Sequence, residues 1–165
     1  NHGAGALGTE VAPKTHVMEV NGEIVTTITV DLTGLQAVND VDDVIGLAAG
    51  GAAYLDQVTD ATNGILHRVE MTCIELPTAA SNVCLDIDLR AEANATRVGG
   101  HDASGTTSII AAGGDYAKSL TKEAALGTVP AGDDYLYLTV GATHTGDSTY
   151  TAGKFVIKLY GYKTF

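Results

Sequence analysis

Period-two alternation of apolar with polar or smaller side chains recurs along this chain and constrains its fold more than any other feature. In Gly153-Lys154-Phe155-Val156-Ile157-Lys158-Leu159-Tyr160-Gly161-Tyr162, Phe155, Ile157 and Leu159 form one stripe and Val156, Lys158 and Tyr160 the other. That pattern fits a β-strand with one buried face, and the earlier strands must leave it a place in their sheets. Ile24, Thr26, Ile28, Val30 and Leu32 form a second stripe, opposed by Val25, Thr27, Thr29 and Asp31. β-Branched residues dominate both sides, as a pleated, half-buried surface favours. His16, Met18 and Val20 alternate towards Asn21-Gly22, a pair suited to the positive φ angles of a tight hairpin.

Asn63-Gly64 reads as a second two-residue turn leading into a long arm, Ile65 to Leu76, with Asp60 facing His67 and Val58 facing Val69. Pro77 ends that arm. Val83, Leu85, Ile87 and Leu89 then alternate with Cys84, Asp86, Asp88 and Arg90. The register that keeps the apolar stripes together sets Met71 opposite Leu85, Val69 opposite Ile87 and Arg68 opposite Asp88. It places Cys73 on the core face and Cys84 on the other, which predicts two free thiols; a one-residue bulge would bring them together. Asp115 to Leu126 has Tyr116, Leu120 and Ala124 at intervals of four, an N-capping Asp and a terminating Gly127. It is the one helix candidate, with a strand as its rival. Leu136, Leu138 and Val140 alternate with Tyr135, Tyr137 and Thr139.

Together these segments give roughly seven or eight strands joined by turns, the pattern of an all-β fold. The expected architecture is an antiparallel β-sandwich, jelly-roll-like, with at most one short helix. Residues 1–15, glycine-rich at their start and without periodicity, read as an extended N-terminal arm, and residues 16–165 as a single β-sandwich domain. A chain of this length can bury an aliphatic core without disulfide or metal.

Charge excludes one class of partner. Nine Lys+Arg against twenty Asp+Glu leave a net charge of -11, which repels phosphate backbones, so no nucleic acid is expected. No apolar run approaches the ~20 residues needed to cross a bilayer, so no membrane span is expected either. Asn39-Asp40-Val41-Asp42-Asp43 superficially suggests a calcium loop, but it has no glycine at its sixth position, and Gly50 or Gly51 stands where the closing Glu would be. It reads as a solvated acidic loop or short helical turn. The Gly- and Ala-rich stretch Val44 to Leu55 lacks the Lys-Ser/Thr of a phosphate loop. His101, Asp102 and Ser104 lie close together, yet no turn motif presents Ser104 as a nucleophile. Two thiols without histidine partners make no zinc site. The residues therefore name no cofactor, no metal and no catalytic group.

Several segments carry a resemblance. They are Gly5 to Thr15, Ile28 to Leu35, Ala52-Ala53-Tyr54-Leu55, Val69 to Glu75 and Tyr150 to Gly161. Nearly end to end, and least between Ala91 and Thr128, the chain resembles virion structural proteins of marine tailed bacteriophages. The resemblance implies a capsid decoration or cement protein on the exterior of the head. Its partner would be the major capsid protein, with homo-oligomer contacts through the small-residue stretch. The candidate partner-binding residues are His2, Leu7, Val11 and Pro13 on the arm and Tyr54 within that stretch. The alternatives are a tail-fibre or receptor-binding module and a bacterial surface-layer or adhesin β-domain. An enzyme fits least, because no motif places a pair of carboxylates.

Overall fold

The computed structural model describes residues 13–38, 40–47, 51–100, 102–103, 105–111, 113–142, 144 and 146–163. Asn21 and Gly22 adopt φ of 54° and 82°, the all-positive pair of a tight hairpin. They join β1 (Lys14–Val20) to β2 (Glu23–Asp31) in unbroken register, as the sequence led us to expect. The remaining elements are β3 (Gln36–Ala37), α1 (Asp60–Asn63), β4 (Ile65–Ala79), β5 (Ile87–Glu92), β6 (Thr107–Ile110), β7 (Thr121–Glu123), β8 (Tyr135–Val140) and β9 (Ser148–Tyr162). They form two antiparallel sheets, one ordered β1-β2-β9-β4-β7 with β3 also on β9, the other β6-β5-β8. This is an all-β sandwich.

The stripes of β2 and β9 sort as alternation requires. Ile24, Ile28, Val30, Phe155, Ile157 and Leu159 are buried, and Ile28 sits directly opposite Ile157. Val69 and Met71 of β4 pair with Leu159 and Ile157 on the other side of β9. Ile87 and Leu89 of β5 and Leu136 and Leu138 of β8 belong to the same core cluster. Tyr116 closes it, edge-on to Phe155 with ring centroids 5.0 Å apart.

Several local expectations are corrected. Asn63-Gly64 is not a hairpin turn: Thr59 caps α1 by accepting from the Thr62 amide, and Gly64 ends the helix at φ 69°. The Asn63 side chain bonds the Thr59 amide and the Thr26 hydroxyl, both at 2.8 Å, which fixes the helical turn against β2. Pro77 does not end β4. The strand runs through it to Ala79 in a stretch of register shifts, where no ladder needs its missing N–H, and Gly153 opposite leaves the room. Because β4 takes β9 and β7 as neighbours, Met71–Leu85, Val69–Ile87 and Arg68–Asp88 are not strand pairs. Asp115 to Leu126 is not a helix: Ser119 has φ 66°, Tyr116 is buried while Leu120 is exposed, and Thr121–Glu123 becomes β7 on the edge of β4.

Both thiols are free, but Cys84 is as buried as Cys73, and its S–H donates to the Asp86 carbonyl at 3.1 Å. Asp88 of β5 and Asp86 just before it are buried as well, and Arg90 and Glu92 are half-buried. β8 is buried on both faces, and irregular segments close its outer edge: the Ile45 amide donates to Leu138 O and the Leu55 amide to Leu136 O. That arrangement pins the end of the acidic loop, while Asp40 and Val41 stay exposed. Asp42 pairs with Arg90, and Asp43 is buried.

Candidate functional site

Since β9 lies between β2 and β4, the outward residues of the large sheet fall into rows that cross four or five strands. One row is Val20, Glu23, Tyr162 and Ile65; the next is Met18, Val25, Tyr160 and Arg68. Below them run His16, Thr27, Lys158, Glu70 and Glu123, and then Lys14, Thr29, Val156, Thr72 and Thr121. β2, β4 and β9 are set by their buried inner stripes, so the outer face of these three strands inherits a register that its own residues did not set.

The middle of this face is a connected set of charges. The Arg68 guanidinium donates to Glu70 at 2.6 Å and to Glu123 at 2.7 Å, and lies 4.8 Å from the centre of the Tyr160 ring. The Tyr160 hydroxyl donates to Glu70 at 2.6 Å, and Lys158 stands 3.9 Å from the same carboxylate. Burial first, and then the hydrogen bond to Glu70, push the Tyr160 hydroxyl up to about 12. Lys154 bridges Glu75 at 2.7 Å and Asp31 at 3.4 Å. Exposed pairs of this kind contribute only ~0–1 kcal/mol each, so their consequence is order: the acids and bases satisfy one another and present a fixed polar pattern.

One corner of the face is apolar. Met18, Val20, Ile65 and Tyr162 are 50%, 48%, 57% and 57% exposed. His67 stacks on Tyr162 at 4.4 Å and 18°, with Nε2 3.4 Å from Glu23. The expected Asp60–His67 pair does not form, because Asp60 is carried into α1. Beside the corner, fully exposed Leu126 borders a hollow of about 340 Å³ that Arg68, His67 and Glu123 also line. Four large apolar side chains thus stand in solvent on neighbouring strands.

Among the described residues no group of three His, Cys, Asp or Glu side chains could hold a metal. Two further hollows are of similar size: one at the β3–β9 end is lined by Gln36, Asp147, Ser148 and Thr149, and one between β1 and α1 by Glu19, Asp60, Thr62 and Lys163.

Of the residues singled out from the sequence, His2, Leu7 and Val11 lie outside the described residues. Pro13 is buried at the entrance to β1. Tyr54 is half-buried and meets Tyr135 of β8 edge-on at 4.9 Å, so the two described candidates lead to different sheets. Part of the small-residue stretch is used inside the chain: a Cβ on Gly46 would stand 2.8 Å from the Ala53 side chain and 3.1 Å from Gly99. The apolar corner was not found from the sequence. Its members come from β1, β4 and β9, and only the strand order brings them together. Comparison with known proteins returned no matching family model, no similar curated protein and no similar solved structure.

Proposed function

We propose that the protein is a structural component of a virion, a capsid decoration protein that binds the outside of a tailed-phage head and strengthens contacts between capsid subunits. The observation that carries this reading is a broad outer face, ion-paired in its middle and apolar at one corner. A cement protein needs such a face, because many modest contacts repeated by lattice symmetry give avidity without deep burial at any one site. A net charge of -11 fits a position on the shell exterior, away from packaged DNA. Residues 1–12, expected from the sequence to form an arm, would supply a second point of attachment to neighbouring capsid subunits.

The test is co-sedimentation of the purified protein with expanded, undecorated heads. A variant lacking residues 1–12 but keeping buried Pro13 is expected to remain folded by circular dichroism and to lose head binding. Full occupancy by that variant would refute the arm's role, and no binding by the intact chain would refute the capsid reading. A second reading, a tail-fibre or receptor-binding module, draws on Tyr160, Tyr162, His67 and Arg68, which resemble in kind the aromatic and charged side chains that hold sugars. Binding to host glycans without binding to heads would favour it.

A further inference from the structure

We propose that β1 is a dimerisation edge, pairing antiparallel with β1 of a second copy of this chain about a two-fold axis at Val17, so that the two large sheets become one. The inference goes beyond the capsid reading and holds in solution whether or not a head is present.

An exposed strand edge offers a row of unpaired N–H and C=O groups, and folded proteins usually shorten, bulge or cover such edges. Among the described residues, three of the four strands that end the two sheet orders follow that rule. β7 has three residues, β6 has four, and the edge of β8 is closed by the segments around Ile45 and Leu55. β1 does not. It has seven residues, pairs with β2 without a register shift, and has no other described strand beside it. Its burial pattern is exposed or half-exposed throughout.

The hairpin geometry says which groups are free. Residues flanking a two-residue turn form a narrow, hydrogen-bonded pair, so Val20 bonds Glu23, and the main chains of Met18, His16 and Lys14 likewise face β2. The main-chain groups of Thr15, Val17 and Glu19 therefore face outward, and among the described residues no segment bonds them.

Their sequence selects a second copy as the occupant. With Val17 opposite Val17, Thr15 meets Glu19 of the other chain on both sides of the axis, and about six main-chain bonds form. Shifting the register one way opposes Glu19 to Pro13, which has no N–H, and His16 to His16. Shifting it the other way opposes Thr15 to the Asn21 turn. The charge agrees. Two chains of -11 repel overall, but at this edge Lys14 and Lys163 balance Glu19 and Glu23, and Lys163 already bonds Glu19 at 3.0 Å. On the outer face the pairing draws half-exposed Met18 from each copy towards the axis, which removes apolar surface from water.

Val17 also supplies the test. Proline there deletes only an outward N–H, a loss that edge strands tolerate, and leaves the β1–β2 ladder intact. Sedimentation equilibrium of the full chain is expected to give twice the monomer mass, and Val17→Pro the monomer mass with an unchanged β-sheet spectrum. A monomeric full chain at every concentration, or a Val17→Pro variant as dimeric as the parent, would overturn the proposal. Val17→Cys provides a readout independent of proline: the axis sets the two thiols opposite each other, within disulfide reach, and mild oxidation should convert most of the protein to a cross-linked dimer. Thr15→Cys is the control, since its symmetry mate lies too far away. Equal cross-linking of both variants would exclude this register and with it the proposal.

Discussion

Asn63 is the clearest place to test how the corner of the large sheet is held. It is 2% exposed, donates from Nδ2 to the Thr26 hydroxyl at 2.8 Å, and accepts the Thr59 amide on Oδ1 at 2.8 Å. Asn63→Ala removes both bonds and leaves the buried Thr26 hydroxyl and the half-buried Thr59 amide without these partners. Each net bond is worth ~0.5–1.5 kcal/mol and each orphaned group costs ~1–3, so the variant is expected to lose about 2–4 kcal/mol. With a urea m-value of about 2 kcal/mol/M, the unfolding midpoint falls by ~1–2 M. Thr26→Val keeps the shape of the strand but strands the Asn63 amide, at a cost of ~1–2 kcal/mol. The double variant removes both ends of the Asn63–Thr26 bond and should be less damaged than the sum by ~1 kcal/mol or more. Additive losses, or an Asn63→Ala midpoint within error of the parent, would show that α1 is not fastened to β2 by this bond.

Two further outcomes follow from burial. His144 is 8% exposed, and desolvation holds its imidazole below the ordinary 6.5 against the weaker opposing pull of Gly146 and Asp147. The unfolded chain therefore takes up this proton at a higher pH than the folded one, so stability is fully present above 6.5 and declines as pH falls below it. His144→Gln should flatten that part of the melting-temperature profile, and an unchanged difference between parent and variant across the range would refute the assignment. Burial pushes the Cys84 thiol up to about 11 and raises Cys73 as well. Neither should react with a disulfide reagent near neutral pH until the chain unfolds, and stoichiometric labelling of the native protein on mixing would contradict the buried placement.

The strands legible in the sequence were those with one dry and one wet face. β2 and β9 declare themselves because Ile28 and Ile157 alternate with Thr27 and Lys158, and burial has only one way to sort them. β5 and β8 hid half their environment, because Asp86, Tyr137 and Thr139 look like solvent residues and are instead covered by neighbouring segments. The neighbours of β4 were not legible at all. Asn63-Gly64 and Pro77 are strong local signals, and each was outweighed by a contact from far along the chain: Thr26 on Asn63, and the glycine opening at Gly153 beside Pro77. For the same reason the exposed corner had no local signature. Tyr162 and Ile65 become neighbours only once β9 has entered between β2 and β4.

That entry has a consequence for how the chain reaches its native state. β2 and β4 are synthesised well before β9, yet neither has the other as a neighbour; each waits with an open edge for the same late partner. Until Phe155, Ile157 and Leu159 arrive, the nascent chain holds two aliphatic ribbons that cannot close on each other. Such long-range closure makes folding slow and concerted, with the waiting ribbons exposed to self-association in the interval. Early arrest of synthesis should therefore yield aggregate rather than a half-built sandwich.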